Sequence, residues 1–485
     1  MQFFGLKNRD HYRDFQNKIL SSNPSHELCR IYIKALIDIA NGDFHKYETN
    51  VFEKLERALD LSIKLNDDSL IENCKIALIN FENRHSQDSK QGLWGYSFDL
   101  LFGNKKIKLS KKEESDIVNE LEAKLNRLTS TDLNGQKIDP WAAEVAAKRL
   151  AVFYRKNLKY EDVKRVILKV GDAFNRIINK ASAMQASAWL ENLNKLYTEF
   201  SLKEEAEQIL QKIRELEPKM VSELKSISHT VKIPNEKMEE YINAMTSGSI
   251  EEILRRISIR YIPNKEEAKK QIFDLSKKAP LSYLFVHKLQ DERGRLIATV
   301  DSLENDLEGH IVLQVSQYLS FSSLFLRLVI EEVIKKFNLN KNDVLKFIER
   351  TPIIQRKRLE IIDKGLDAYF ANNYLIAIHL IIPQIEEAIR NIVEFGGGNI
   401  YKPSRSGGFN LRTFDDILSD NLVKEALGED FVNYLKILFT DPRGWNLRNK
   451  VCHGMLNPNM FNQETADRVL HSLLCLGLIQ KKEKV

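Results

Sequence analysis

The strongest constraint on this chain is an amphipathic period, since apolar side chains recur every three to four residues over most of its length. Residues 26–41 are a clear case, because leucine, isoleucine and tyrosine side chains share one stripe and Gly42 and Asp43 follow as a stop signal. Only 11 prolines and 20 glycines occur in 485 residues, which permits long uninterrupted helices. We therefore predict an all-α fold. Other segments in the first half with this period are 51–65, 69–81, 113–128, 141–156, 161–178, 184–200 and 203–216.

Breaks in the helical pattern divide the chain into three predicted regions. Residues 1–245 read as an irregular, solenoid-like helical array without a fixed-period repeat, for which we expect a regulatory or interaction role. Pro234 and a short glycine- and serine-containing stretch after it mark the boundary. Residues 250–350 are predicted to be a middle helical segment with one short β-hairpin near 283–300. The last region, 352–485, reads as a compact helical bundle.

The charge balance leaves the class of partner open. The chain carries 73 basic and 68 acidic side chains, a net charge of +5, and nucleic-acid binding depends on local patches rather than on this total. The densest basic run, residues 105–112, could contact phosphates. Runs of this kind are more often solvated loops that lead into a helix.

Cysteine usage and hydropathy indicate a cytoplasmic protein without a membrane anchor. The four cysteines form no C-x-x-C pair, so neither disulfides nor a zinc site are expected. Charged residues precede any apolar run of signal-peptide length. The longest apolar stretch, 374–385, spans about a dozen residues, short of the roughly 20 that cross a bilayer. We predict that this stretch is a buried core helix.

The most specific local pattern is Arg448-Asn449-x-x-x-His453-Gly454. It resembles the R-N-x-x-x-H signature of HEPN domains, which are helical modules of bacterial toxins, abortive-infection proteins and RNA-cleaving defence effectors. The resemblance covers residues 352–474. Its further support is the run Asp-Pro-Arg-Gly-Trp-Asn-Leu directly before the motif and an earlier helical segment with Gly365, Phe370, the run 379–386 and Arg390.

This resemblance implies a metal-independent endoribonuclease that needs no cofactor, with Arg448, Asn449 and His453 as its catalytic residues. It also implies an RNA substrate, a homodimer through the HEPN domain, and a role as a toxin or anti-phage defence effector. In such an enzyme the RNA 2′-hydroxyl attacks the neighbouring phosphorus. His453 can move the proton as general base or acid, and Arg448 can neutralise charge on the phosphate oxygens. Asn449 can hydrogen-bond the phosphate or hold His453.

Local signals place the motif on a short helix. Asn446 is a good N-cap residue, and Gly454 is a good residue to end the helix, which would run from 447 to 452 or 453. His453 follows Arg448 by five positions, so the two side chains would point about 140° apart around a straight helix. One copy of the motif is therefore a poor site, and a two-fold dimer would bring two copies together.

The apolar helix predicted over residues 374–393 carries His379, Glu386 and Arg390 on one stripe. Two roles are open for them: partners that hold the motif, or a buried Glu–Arg pair that only fixes packing. Four further residues are candidates for RNA binding. Three are the cations Lys402, Arg405 and Arg412 in and beside a glycine-rich loop, which could instead be merely mobile. The fourth is the aromatic residue Trp445, which could instead anchor the core.

An alternative to the ribonuclease is a non-catalytic helical scaffold that binds a nucleotide, RNA or protein and whose HEPN-like domain is degenerate or structural. A third option is a HEPN toxin silenced by AMPylation. That mechanism is associated with a tyrosine two residues after the histidine, and Met455 occupies this position. In each case the N-terminal helices are expected to offer a surface for a regulatory protein partner.

Overall fold

The fold was obtained as a computed structural model, which describes residues 25–130, 138–225 and 232–480. It confirms the all-α class, because the described residues form 22 α-helices and only two short antiparallel hairpins. Among these residues, every helix is too short or too polar to cross a membrane. The chain divides into two compact units, residues 1–225 and 226–485.

In the first unit, helices that are neighbours along the chain pack against each other, as expected of a helical array. Two apolar cores result, one beneath the first helices and one beneath the later ones. The predicted helix at 26–41 is confirmed with the same bounds. The helices described in this unit are α1 (His26–Asn41), α2 (Thr49–Leu65), α3 (Asp68–His85), α4 (Tyr96–Leu101), α5 (Lys111–Thr129), α6 (Pro140–Lys156), α7 (Tyr160–Ile178), α8 (Ala183–Glu199) and α9 (Lys203–Glu223).

The basic run at 105–112 leads into α5, as the loop interpretation predicts. Ser110 begins this helix with a reciprocal capping box, in which its hydroxyl accepts from the backbone N–H of Glu113 at 3.2 Å. The Glu113 carboxylate accepts in return from the backbone N–H of Ser110 at 2.8 Å. Two of the N–H groups that the first turn leaves unpaired are satisfied in this way.

The second unit is built on one continuous apolar core that extends from Met245 to Leu476. The elements of this unit that the structure describes are α10 (Asn235–Met245), α11 (Ile250–Arg260), α12 (Lys265–Lys278), α13 (Leu281–Leu284), β1 (His287–Gln290), β2 (Leu296–Val300), α14 (Leu307–Phe337), α15 (Lys341–Ile348), α16 (Leu359–Phe370), α17 (Tyr374–Phe395), β3 (Tyr401–Pro403), β4 (Phe409–Leu411), α18 (Phe414–Leu418), α19 (Asn421–Leu427), α20 (Glu429–Phe439), α21 (Leu447–Cys452) and α22 (Gln463–Gly477).

The domain boundaries differ from those predicted at 245 and 352. Helix α10 belongs to the second unit, and residues 250–350 share a core with residues 352–480 instead of forming a separate segment. The reason is that the long helix α14 packs against α12, α20 and α22. Contacts between residues far apart in sequence therefore join residues 250–350 to residues 352–480, which were predicted to be separate because the helical pattern breaks between them.

The apolar segment at 374–385 lies within α17, whose inner face is buried in the core of the second unit. Helix α17 packs mainly against α16 and α22, and it also contacts α18 and α19. This confirms the predicted core helix. Its position matters for function, because α17 carries Glu386 and Arg390 on a less deeply buried stripe.

The predicted hairpin near 283–300 is observed as β1 and β2, which pair antiparallel with an irregularity at Leu289 and Gln290. A second hairpin, β3 and β4, was not predicted. It forms within the glycine-rich loop, where the backbone N–H of Ser404 donates to the carbonyl of Gly408 and Gly407 and Gly408 adopt positive φ. Its strands have three residues each, too few to show a period in the sequence.

Candidate functional site

The motif lies on α21, a helix of six residues that follows a tight turn after α20. The turn is held by the backbone N–H of Trp445, which donates to the carbonyl of Ile437 at 2.9 Å. A Cβ atom at Gly444 would collide with the same carbonyl oxygen, so this position requires glycine. At the other end, Gly454 has a φ of +64° and ends the helix as predicted.

The predicted capping role of Asn446 is wrong. Asn446 does occupy the position before α21, but its backbone is left-handed, with a φ of 55°, and its side chain makes no capping bond. Instead its Oδ1 accepts a hydrogen bond from Nδ2 of Asn449 at 2.7 Å. The same Nδ2 donates to the carbonyl of Thr440 at 3.3 Å. Asn446 therefore fixes the Asn449 side chain rather than the helix start.

Arg448 is held across the interior of the domain by Glu386 of α17. Its Nε donates to Oε2 of Glu386 at 2.9 Å, and its Nη1 donates to Oδ1 of Asn449 at 3.3 Å. The Arg448 side chain is 26% exposed and that of Glu386 13%. No described residue accepts a hydrogen bond from Nη2 of Arg448. The guanidinium is thus oriented by two partners, and one N–H₂ group remains available.

Glu386 is shared by two arginines. Its Oε1 accepts from Nη2 of Arg390 at 2.8 Å, while Nη1 of Arg390 donates to Glu387 at 2.8 Å. Glu387 in turn lies 3.5 Å from Nη2 of Arg358. We call these five residues the guanidinium cluster. Three guanidinium groups face two carboxylates, so the cluster carries one positive charge in excess.

The two roles left open for Glu386 and Arg390 are combined in the guanidinium cluster. These residues do form a Glu–Arg pair on one helix, and the pair also reaches the motif through Arg448. His379 is not part of the cluster. Its Nδ1 hydrogen-bonds with the carbonyl of Leu375 at 2.8 Å, and its ring stacks on Phe461 with centroids 5.1 Å apart.

His453 is the first residue after α21, and its backbone N–H donates to the carbonyl of Asn449 at 3.0 Å. The side chain is exposed. Its imidazole forms no hydrogen bond with any residue that the structure describes. An accessible imidazole without a protein partner is free to exchange a proton with a bound substrate.

Lys450 is a motif residue to which sequence reasoning gave no role. The residue is partly buried, and desolvation lowers the pKa of Lys450 from its ordinary value, although nearby Glu292 and Asp291 raise it. Both acids belong to the turn between β1 and β2, and Glu292 also accepts from the amide of Asn457. The hairpin turn thus lies against the motif segment. The presence of a lysine between Asn449 and His453 is the feature of the sequence that could have pointed to this residue.

Two of the predicted RNA-binding cations are occupied by local ion pairs. Lys402 lies 3.1 Å from Asp416 and Arg412 lies 2.7 Å from Asp420, and both pairs tie the β3–β4 hairpin to its surroundings. Arg405 is exposed and has no partner among the described residues. It is the cation of this loop that stays available for a polyanion.

Trp445 is half-buried and packs against the core of the second unit. This is the arrangement of a core anchor, the second of the roles considered for it. Its position directly before α21 means that the packing of the indole ring helps to hold the motif helix on the domain.

No family model, no curated protein and no solved structure was found to match this chain. The likeness to HEPN domains therefore depends on the motif and on the residues around it.

Proposed function

We propose that the second unit is a metal-independent endoribonuclease of the HEPN type. The observation that supports this most directly is the pairing of two kinds of group on one short segment. The Arg448 guanidinium is oriented by the Glu386 carboxylate, and five positions later the His453 imidazole is exposed and has no described partner. These are the two groups that phosphodiester cleavage by an internal hydroxyl requires.

In the proposed reaction His453 accepts the proton of an RNA 2′-hydroxyl. The oxygen of this hydroxyl forms a bond to the adjacent phosphorus. The bond from phosphorus to the 5′-oxygen breaks, and that oxygen takes a proton from water to become a 5′-hydroxyl, while His453 returns its own proton to water. A 2′,3′-cyclic phosphate is the other product. The free Nη2 group of Arg448 donates to a non-bridging oxygen, where negative charge grows in the transition state.

Arg448 can bind a phosphate although it is already ion-paired within the guanidinium cluster. Glu386 engages Arg448 at Nε, and Asn449 engages Nη1, so neither partner occupies Nη2. The excess positive charge of the cluster favours a phosphate beside it. Asn449 acts as a positioning residue, because its amide is used to hold Arg448, Asn446 and the carbonyl of Thr440.

The proposal extends to the assembly and the biological role. The helical offset of about 140° expected between Arg448 and His453 favours a two-fold dimer, which would place the guanidinium of one copy near the imidazole of the other. A toxin or antiviral defence effector is the role that the HEPN resemblance favours. The helices of the first unit would then receive a regulatory protein partner.

A second candidate is a non-catalytic scaffold in which the motif is structural. The observation that favours it is that Arg448 and Asn449 both make hydrogen bonds within the domain, as residues that only stabilise the fold would. His453 separates the two candidates, because an exposed imidazole without a described partner contributes little to stability.

The test is cleavage of end-labelled RNA by the full chain in excess EDTA. His453→Ala should lower the rate on the order of 100-fold or more, the usual scale for a general acid–base group, and leave the melting temperature unchanged. Cys452→Ala is the matched control, since Cys452 is the exposed neighbour of His453, and it should cleave at the wild-type rate. Cleavage that depends on magnesium, or that survives in His453→Ala, would refute the proposed mechanism, and a folded wild-type chain that cleaves no RNA would favour the scaffold.

A further inference from the structure

Three residues with metal-binding side chains meet in the first unit, although the sequence gave no sign of a site there. Asp43 and His45 lie in the connection between α1 and α2, and His85 is the last residue of α3. One ligand atom from each side chain lies within 4.8 Å of the other two. The cysteine-based search of the sequence could not have detected a site built from two histidines and one aspartate.

Local backbone structure brings Asp43 and His45 to the end of α3. After Gly42, Asp43 adopts a left-handed conformation with a φ of 52°, and the N–H of His45 donates to its carbonyl at 2.9 Å. The helices α1 and α3 pack on each other in a shared core, so the end of each lies beside the other. The cluster is therefore set by helix packing and by one tight turn.

The distances are close to those of a coordination shell. Oδ1 of Asp43 lies within hydrogen-bond distance of Nε2 of His85, at 3.0 Å, and a metal bound to Nε2 would take the place of this hydrogen bond. Zinc binds histidine nitrogen and carboxylate oxygen at about 2.0–2.2 Å, which places donor atoms around a tetrahedral ion about 3.3 Å apart. Since all three ligand atoms lie within 4.8 Å of one another, small side-chain rotations would bring them to this spacing.

The surroundings have the features of a metal site. Nδ1 of His45 is buried and has no hydrogen-bond partner among the described residues, whereas nearly all buried polar atoms have one. Coordination through Nδ1 would satisfy it. The buried ring of Phe81 packs against both imidazoles, with centroids 5.4 Å from His45 and 4.4 Å from His85. An apolar wall of this kind restricts the rings on one side of the cluster.

We propose that Asp43, His45 and His85 bind one divalent transition-metal ion, with Zn²⁺ the ion that the ligand set fits best. Two histidines and one carboxylate are a common set for an ion that keeps open positions. The exposure of the Asp43 side chain, 48%, gives solvent or a further ligand access to those positions. The ion would pin the connection between α1 and α2 to the end of α3. This site is independent of the ribonuclease proposal.

One neighbouring cation opposes the metal. Nη2 of Arg84 donates to Oδ1 of Asp43 at 3.2 Å and to the carbonyl of Ala40 at 2.7 Å. The other oxygen of Asp43, Oδ2, accepts no hydrogen bond from the described residues. A metal bound through Oδ2 would leave the Arg84 contact in place, although the positive charge would weaken its affinity. Removal of Arg84 should therefore strengthen binding.

The experiment measures zinc stoichiometry of the full chain. Chelator-treated protein is titrated with Zn²⁺ in competition with a chromogenic indicator, for wild type, Asp43→Asn, His45→Gln and His85→Gln, with circular dichroism to verify folding. Each variant should lose one equivalent of zinc or bind it at least 10- to 100-fold more weakly, the cost of losing even an outer-shell partner at known sites. The matched control is His26→Gln, an exposed histidine at the opposite end of α1, which should bind as wild type.

Two further measurements keep the proposal testable if a histidine variant unfolds. Arg84→Gln should bind zinc more tightly than wild type, and zinc should raise the melting temperature of wild type but not of Asp43→Asn. Equal zinc binding in wild type and Asp43→Asn would overturn the site. So would an equal loss in His26→Gln, because it would show that histidines bind zinc without regard to position.

Discussion

Nε of Arg448 donates to Oε2 of Glu386 at 2.9 Å, and the two residues stand 62 positions apart in the sequence. This contact joins the motif helix α21 to the core helix α17. It gives the motif arginine a fixed orientation and connects it to the rest of the guanidinium cluster. The neighbouring Glu387 pairs with Arg390 of the cluster but does not contact Arg448. Substitution of Glu386 and of Glu387 can therefore separate an effect on activity from an effect on stability.

We expect Glu386→Gln to weaken both folding and RNA cleavage. The substitution keeps the size of the side chain but removes the charge that Arg448 and Arg390 share. Breaking a fully buried ion pair costs about 3–5 kcal/mol, and partial exposure should reduce the loss here to about 2 kcal/mol. Urea denaturation measures this loss in the free energy of unfolding.

The matched control for this prediction is Glu387→Gln. It removes the carboxylate that pairs with Arg390 and Arg358, so it should also reduce stability, but it leaves the Arg448 contact intact and should preserve cleavage. Equal cleavage by the two variants would show that the orientation of Arg448 does not matter for the reaction.

Two buried groups of α22 should give the second unit opposing pH dependences. Burial raises the pKa of Asp467 from 3.8 to about 7, although Tyr369 donates a hydrogen bond to its Oδ1 at 2.5 Å. Burial lowers the pKa of His471 from 6.5 to about 3. Between about pH 4 and 6.5 the folded state holds a proton on Asp467 that the unfolded state has lost. It lacks a proton on His471 that the unfolded state has gained.

The two effects should nearly cancel in wild type over this range. With Asp467→Asn only His471 remains, and the free energy of unfolding should rise with pH from about 4 to 6.5. With His471→Asn only Asp467 remains, and the free energy of unfolding should fall from about pH 4 to 7. Urea denaturation at several pH values measures both slopes. Two variants with the flat profile of wild type would show that neither group titrates as its burial indicates.

The proposed dimer can be examined through a native cysteine. Cys452 is exposed and directly precedes His453, whereas Cys29, Cys74 and Cys475 are buried. If two motif segments face each other across a two-fold axis, mild oxidation should join two chains through Cys452. Cys452→Ser should abolish the cross-link and remain dimeric by light scattering. A dimer that oxidation never cross-links would place the motifs apart and argue against a shared site.

We expect the second unit to carry the cleavage activity and the first unit to regulate or target it. The structure places the boundary at residue 225, so the fragment to express is 226–485. RNA cleavage that persists or rises in the fragment would support a regulatory first unit. A folded, dimeric fragment without activity would mean that the first unit contributes directly to the reaction.

Much of the fold was accessible from the sequence, because helix periods, caps and stop signals depend on residues a few positions apart. The bounds of α1, the β1–β2 hairpin, the core helix in the apolar segment, and the end of α21 at Gly454 all followed from such local patterns. Asn446 shows where local reasoning fails. A residue type suited to an N-cap has a left-handed backbone in the tight turn after α20, and its side chain holds Asn449 instead of the helix start.

The sequence by itself determined the helical class and the segment that carries the motif. Only the tertiary structure decided that Glu386 holds Arg448, that α10 and residues 250–350 belong with the C-terminal core, and that Asp43 and His45 meet His85. The physical reason is that these relationships join residues tens of positions apart. Each depends on how whole helices pack their apolar faces, and many packings satisfy the same local period.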